Sequence, residues 1–105
     1  LLNLGGLGIR SISRAADRYF IVAGSYNGGG QSHLYEWSGG ADAPRRLPRV
    51  ELAGLNPEAI ECLTVDGVER LFVVSDDGTF QIGGKECKAL TDPNLKYFRA
   101  TTMDL

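Results

Sequence analysis

The chain has 105 residues, 43% of them hydrophobic and 23% charged, and its formal net charge at pH 7 is −2. These values are typical of one soluble globular domain, and they exclude the basic surface on which non-specific nucleic-acid binding depends. The longest apolar runs fall well short of the roughly 18 to 20 residues of a membrane-spanning helix, so a membrane is not an expected partner. Because the sequence begins with Leu1 and shows no signal segment, we expect it to be cut from a longer chain, and its compartment stays open between cytoplasmic and exported.

The first half of the chain is predicted to form four short β-strands. Alternating polar and apolar residues, or runs of aromatic and β-branched residues, place them at 9–13, 18–24, 32–37 and 47–52. Glycine clusters at 27–30 and 39–40 are interpreted as turns between them. Pro44 and Pro48 indicate that the fourth strand is an edge strand or starts irregularly.

The second half repeats this plan. Strands are predicted at 59–65, 70–75, 79–82 and 97–105. Asp-Gly pairs at 66–67 and 77–78 and a Gly-Gly pair at 83–84 mark the turns. Only the segment 85–95 leaves room for a short helical turn, so the sequence predicts an all-β protein.

The two halves also match residue by residue. Residues 9–13 match 60–64 in pattern, and residues 17–22 match 69–74, offsets of 51 and 52 positions. A period of about 50 residues with four antiparallel strands per unit is typical of β-propeller blades. The sequence therefore predicts a single unit, 1–105, that contains two blade-like repeats, 1–54 and 55–105. An immunoglobulin-like sandwich does not explain two equivalent halves.

Two blades cannot close a propeller, which typically needs four to eight. Each open side of the pair would expose an apolar face. We therefore expect the partners of this chain to be the remaining blades of a parent protein or further copies of itself.

Six short segments carry a likeness to known proteins: GIR at 8–10, YFIVAG at 19–24, LYEW at 34–37, NPEAIE at 56–61, VSDDG at 74–78 and FR at 98–99. Together they resemble the C-terminal part of an uncharacterised bacterial domain family that is propeller-like and distantly similar to esterase-like phytase domains. The resemblance implies a larger parent protein whose other blades precede residue 1. It implies no established activity.

Strand geometry selects the candidate site residues. In an antiparallel meander, the start of the first strand and the turn after the second strand lie at the same end of the sheet. This places Glu58 near Asp76 and Asp77, with the carboxylates of Glu58 and Asp76 expected within about 6 Å of one another. Such a pair can bind Ca²⁺, the candidate cofactor, or act as a general base. The simpler alternative is that Asp77 belongs to a hairpin turn and that Glu58 caps a strand.

Two further charged residues, Arg10 and Glu61, are predicted to be binding residues. The same argument places Arg10 near Ser25, Tyr26 and Asn27 in the first unit. Arg10 and Glu61 occupy matching positions on the innermost strands, where neighbouring blades would bring them close enough to form an ion pair.

Two functions are compatible with these features. The first is a non-catalytic propeller segment that supports binding of a small molecule, glycan or protein, with Trp37, Tyr26 and the carboxylates exposed. The alternative is part of a calcium-dependent hydrolase of the phosphoesterase or lactonase type, with Glu58 and Asp76 as metal ligands. Neither function identifies a substrate.

The strands that are richest in apolar residues predict the core, and each large side chain that is buried contributes roughly 1.5 to 3 kcal/mol. The expected core residues are Phe20, Val22, Leu34, Ile60, Leu63, Phe72, Val74 and Phe98. Cys62 and Cys87 are predicted to be structural, with Cys62 a buried free thiol.

Overall fold

The computed structural model describes residues 1–27, 30–48, 50 and 52–105. Nine strands, separated by turns, account for almost all of its regular structure. They are β1 (Gly8–Ala15), β2 (Arg18–Gly24), β3 (His33–Trp37), β4 (Arg45–Arg46), β5 (Pro57–Val65), β6 (Val68–Ser75), β7 (Gln81–Ile82), β8 (Lys85–Glu86) and β9 (Ala100–Asp104). No helix in the described part of the chain is long and apolar enough to span a membrane. The prediction of an all-β protein is confirmed.

All strand pairs are antiparallel, and the strands form two main sheets. The first sheet is a four-stranded meander in the order β1-β2-β3-β4, and the second has three strands in the order β5-β6-β9. The chain passes from one sheet to the other between Arg46 and Pro57, where the sequence predicts the division. In the described residues the two sheets do not close into a ring.

Two strand predictions were wrong. The predicted third strand of the second unit, 79–82, does not join β6; its last two residues form β7, which pairs only with β8, and β9 takes the place beside β6. The second sheet is therefore not a four-stranded meander. In the first sheet the fourth strand is β4, which precedes the predicted segment 47–52.

Four residues of the predicted segments lie outside the described part of the chain. They are Arg49 and Glu51 within 47–52, and Gly28 and Gly29 in the predicted glycine turn.

The segment between β8 and β9 contains the expected short helical structure as two 3₁₀ turns, Cys87–Ala89 and Pro93–Leu95. The Asp92 carboxylate caps the second turn by accepting a hydrogen bond from the Asn94 N–H at 2.9 Å. Both cysteines are free thiols: Cys87 is buried, and Cys62 is half-buried. Burial raises the pKa of the Cys62 thiol.

The two sheets are joined where β1 lies against β5. Ser11 Oγ accepts a hydrogen bond from the Ile60 N–H, and Ser13 Oγ accepts one from the Cys62 N–H, each at 3.1 Å. Alternate residues of a strand point to the same side. Ser11 and Ser13 therefore both face β5, where they meet the amides of two residues with the same spacing, Ile60 and Cys62. These hydroxyls satisfy donors that the edge of β5 would otherwise leave unpaired.

We expect Ser13→Ala to lower the free energy of unfolding by about 1 to 3 kcal/mol, because Ser13 is buried and the Cys62 amide loses its acceptor. Urea unfolding followed by circular dichroism measures the change. Thr64→Ala, which removes an exposed hydroxyl from the same strand β5, is the matched control and should change stability by less than about 0.5 kcal/mol. Equal losses for the two variants would contradict the role of the serine pair.

The core has two layers, one on each face of the first sheet. Between the sheets, one cluster combines residues of both: Ala15, Phe20, Val22, Leu34, Leu52, Ile60, Leu71 and Val73. On the opposite face, Leu4 of the N-terminal segment packs on Ile21, Ala23 and Tyr35. Because each face of the first sheet is covered, its central strand β2 is apolar without alternation.

Four of the eight predicted core residues are confirmed as buried: Phe20, Val22, Leu34 and Ile60. The prediction was wrong for Leu63 and Phe98, which are 44% and 67% exposed. Phe72 and Val74 are only half-buried, because Leu71 and Val73 are the residues of β6 that face the first sheet. The outer face of the second sheet is thus partly apolar and open to solvent.

Candidate functional site

Two β-bulges bring Arg10 and Glu58 together. The register of β1 on β2 shifts between Ile9 and Ser11, and the register of β5 on β6 shifts between Pro57 and Ala59. Each shift leaves one residue unpaired and re-aims its side chain. Arg10 Nη1 donates to Glu58 Oε1.

The other side of the Arg10 guanidinium faces the turn after β2. Its Nη2 donates to the Ser25 carbonyl oxygen at 2.7 Å. This contact agrees with the prediction that the start of β1 and the turn after β2 lie at the same end of the sheet. The predicted Arg10–Glu61 ion pair was wrong, because Arg10 is the bulge residue of β1 and pairs instead with Glu58, the bulge residue of β5. Glu61 is exposed and stands opposite Phe72 on the outer face of the second sheet.

Asp77 lies at the end of β6 and is the most constrained carboxylate of the predicted set. Its side chain is 2% exposed and forms an ion pair with Arg99, which precedes β9. Arg99 donates from Nε and the backbone N–H to Oδ2, at 2.9 and 2.7 Å, and from Nη2 to Oδ1 at 2.8 Å. Ser75 Oγ donates to Oδ1 at 2.8 Å. Each carboxylate oxygen of Asp77 therefore accepts two hydrogen bonds.

These contacts change the proton affinity of Asp77. The hydrogen bonds from the Arg99 side chain, supported by Ser75 and the Arg99 N–H, lower the pKa of the Asp77 carboxyl to about 2 against its burial, which acts in the opposite direction. The same ion pair raises the pKa of Arg99. The Asp77 carboxyl is therefore ionised at neutral pH, where it holds the Arg99 side chain in place.

A cleft of about 440 Å³ opens beside this ion pair. The Arg99 guanidinium lies 4.6 Å above the ring of Phe80, which is 39% exposed. The polar residues around the opening are Asn56, Asp76, Thr79 and Gln81. Asp76 Oδ1 accepts the Gly78 N–H at 2.9 Å, and its carbonyl accepts from Asn56 Nδ2 at 3.2 Å, so the loop that forms the cleft is internally bonded.

The three predicted carboxylates at this end of the second sheet have three separate partners. Glu58 binds Arg10, Asp76 binds the Gly78 amide, and Asp77 binds Arg99. Within the described ranges, no group of three or more His, Cys, Asp or Glu side chains is arranged to hold a metal ion. A Ca²⁺ site at Glu58 and Asp76 stays a prediction that needs further ligands.

Sequence reasoning assigned no role to Arg99, although Arg99 is the centre of the cleft. Its position follows only from the pairing of β9 with β6, which brings the start of β9 to the end of β6. If the sequence had predicted that β9 pairs with β6, Arg99 would have been expected near Asp77, because the start of β9 and the end of β6 lie at the same end of the sheet.

A second ion-pair network, also missed, crosses from one sheet to the other. Arg18 donates to Glu36 at 2.7 Å and also contacts Glu69, and Arg45 binds the second oxygen of Glu36. The Arg18 side chain is the main reason why the pKa of Glu36 is lowered. These charges neutralise one another, so the network serves to connect β2, β3, β4 and β6.

Of the two aromatic residues predicted to be exposed, Tyr26 is 96% exposed. Trp37 is half-buried, because it packs on Tyr19 with ring centroids 5.5 Å apart and donates from Nε1 to the Asp42 carbonyl at 3.0 Å. Trp37 therefore offers less surface to a ligand than the sequence suggests.

Comparison with known proteins adds no relative: no family model, no curated protein and no solved structure matches this chain. The resemblance to the bacterial propeller-like family therefore stays a prediction, and the function has to be argued from the site.

Proposed function

We propose that this chain is a non-catalytic segment of a β-propeller that binds a polyhydroxylated ligand, a glycan, in the cleft beside Asp77 and Arg99. The observation that carries the proposal is the fixed orientation of Arg99. Asp77 occupies its Nε and Nη2, and Phe80 lies beneath its plane. A donor group that is held in one orientation before binding loses little entropy when a ligand arrives.

The groups around Arg99 suit a sugar. Asn56, Asp76 and Gln81 carry planar amide or carboxylate groups, which can bond two neighbouring hydroxyls at once. Arg99 covers one side of the Phe80 ring, and the part of the ring that stays exposed is an aromatic surface against which the apolar C–H face of a sugar can pack. Convergent polar groups on an aromatic floor are the usual composition of small-molecule sites.

The state of Asp77 favours binding over hydrolysis. A general acid or base works best when its pKa lies near the working pH, whereas the pKa of Asp77 is about 2 and both of its oxygens already accept hydrogen bonds. Of the other two candidate bases, Glu58 is bound to Arg10, and Asp76 accepts the Gly78 N–H. Each carboxylate at this end of the sheet thus has a structural partner.

The propeller part of the proposal is supported by the 51-residue repeat and by the way the two sheets stack. Each unit begins with a hairpin whose two-residue loop, at 16–17 and 66–67, starts with a residue at φ 52°. Each hairpin also carries one bulge on its first strand, at Arg10 and at Glu58. Stacked units of this kind are how propeller blades pack.

Ligand-observed saturation-transfer NMR with the methyl glycosides of glucose, galactose, mannose and glucuronic acid tests the binding proposal. We expect at least one glycoside to receive saturation from the wild type, to lose it with Phe80→Ala and to receive less with Gln81→Ala. Tyr26→Ala, which removes an exposed aromatic ring from the turn after β2, is the control and should bind normally. No transfer to any glycoside, or transfer that survives in Phe80→Ala, would refute the assignment.

A further inference from the structure

An exposed aromatic surface continues beyond the cleft at Arg99. Phe80 contacts the Arg99 guanidinium, and the ring of Tyr97 lies against the ring of Phe80 with centroids 5.8 Å apart. The two rings are inclined at 61°, so they meet by an edge and neither covers the full face of the other. Tyr97 is 47% exposed, and Phe80 is 39% exposed. A row formed by Arg99, Phe80 and Tyr97 therefore leads out of the cleft.

The order of residues before β9 explains why this row forms. The Arg99 carbonyl accepts the Ser75 N–H at 2.9 Å, so the chain is already extended along β6 at this point. Alternate residues of an extended chain point to the same side. Tyr97 and Arg99 therefore share one side, where both contact Phe80. The same alternation places Phe98, which is 67% exposed, on the opposite side.

A buried cysteine fixes the backbone of both aromatic residues. The Cys87 N–H donates to the Phe80 carbonyl at 2.8 Å, and the Cys87 thiol donates to the Tyr97 carbonyl at 3.4 Å. Cys87 is 5% exposed, so little water competes for these bonds. Phe80 and Tyr97 are thus held side by side before a ligand arrives, which reduces the entropy that is lost on binding.

Building on the proposed function, in which the first sugar lies at Arg99 and Phe80, we infer that the ligand is an oligosaccharide whose next unit packs on Tyr97. The spacing of the two aromatic rings is comparable to the length of one sugar ring, so a unit linked to the first reaches Tyr97. The apolar C–H face of this second unit packs on the Tyr97 ring. The Tyr97 hydroxyl, which both donates and accepts hydrogen bonds, binds a hydroxyl of the same unit.

Isothermal titration calorimetry with sugars of increasing length tests this second site. The probes are the methyl glycosides of glucose, galactose, mannose and glucuronic acid, and the disaccharides built from the same units in their common linkages. We expect the wild type to bind at least one disaccharide roughly tenfold more tightly than the corresponding methyl glycoside, because a second sugar ring packs on an aromatic side chain. Disaccharides that bind no more tightly than the methyl glycosides would overturn the second site and leave the proposed function standing, whereas no binding of any sugar would refute both.

Substitutions of Tyr97 show whether the increase in affinity comes from this residue. Tyr97→Ala should lower the affinity for the disaccharide to that for the methyl glycoside and leave methyl glycoside binding unchanged, which also shows that the variant is folded. If Tyr97→Ala does not fold, Tyr97→Leu, which keeps an apolar side chain without a flat ring, takes its place. Tyr97→Phe should retain most of the increase, because it keeps the ring.

Phe98→Ala, which removes the neighbouring and more exposed ring, is the matched control and should bind both sugars as the wild type does. An increase in affinity that survives the loss of the Tyr97 ring would overturn the assignment. So would an equal loss of affinity for the methyl glycoside and the disaccharide in a folded variant, because Tyr97 would then act on the first sugar alone.

Discussion

Asp77→Ala is expected to lower the free energy of unfolding by about 3 kcal/mol, among the largest effects of any single substitution in this chain. The reason is the number of groups that depend on one carboxylate. Without it the Ser75 hydroxyl, the Arg99 backbone N–H and the Arg99 guanidinium lose an acceptor at a site that is closed to water on the Asp77 side. Urea unfolding at neutral pH measures the loss. Asp66→Asn, which removes the charge of an exposed turn residue, is the control and should change stability by less than about 0.5 kcal/mol.

The same substitution should change how stability depends on pH. The folded-state pKa of Asp77 is about 2, below the ordinary value of 3.8 that applies in the unfolded chain. Protons therefore bind more readily to the unfolded state, so the contribution of Asp77 is complete above about pH 5 and is lost as the pH falls through the folded-state pKa of about 2. The size of this contribution is about 2 kcal/mol. The difference in stability between the wild type and Asp77→Ala should shrink by this amount between neutral and strongly acid pH, and a constant difference would show that Asp77 is not held as an ion pair.

Phe20→Ala is expected to destabilise the protein by about 3 to 5 kcal/mol, whereas Phe72→Ala should cost less than half as much in dilute solution. The two residues correspond in the repeat, but Phe20 is 1% exposed between the sheets and Phe72 is half-buried on an open face. The cavity left by Phe20 would lie in the cluster that contains Leu34, Ile60 and Leu71. The difference between the two losses of unfolding free energy therefore measures how much stability a phenylalanine gains when a neighbouring sheet covers it.

Urea unfolding in dilute solution, followed by circular dichroism, measures both losses of stability. Equal costs for the two variants in dilute solution would contradict the burial of Phe20 and the openness of the second face.

Turn chemistry and alternation were enough to predict the strands of the two main hairpins. The Asp66-Gly67 pair sits in the loop between β5 and β6 as expected, since these residues tolerate positive φ at low cost, and both have it. The face that each strand presents could be predicted only where residues alternate. In β6 the residues 71–74 are all apolar, so no pattern distinguishes Leu71 and Val73, which face the first sheet, from Phe72 and Val74.

Long-range pairing was harder to predict for a physical reason. The position of β9 beside β6 depends on how the 24 residues between Ser75 and Ala100 fold, and their weak local signals do not determine it. For the same reason, Asp77 could be predicted as a site residue from its turn, whereas Arg99 could not be predicted to lie beside it. The Arg10–Glu58 pair depends on two bulges, which have no distinct sequence signal here.

The central claim is that Asp77 holds Arg99 in place to bind a glycan, and the Arg99 side-chain Nε–H resonance reports on this group directly. In a ¹⁵N-labelled sample titrated with the methyl glycosides, we expect this resonance to shift and saturate together with the Thr79 and Gln81 amides, which line the same cleft. Amides of the Arg10–Glu58 pair should not move. Saturable shifts that leave Arg99 unchanged, or an absence of shifts with every glycoside, would contradict the account.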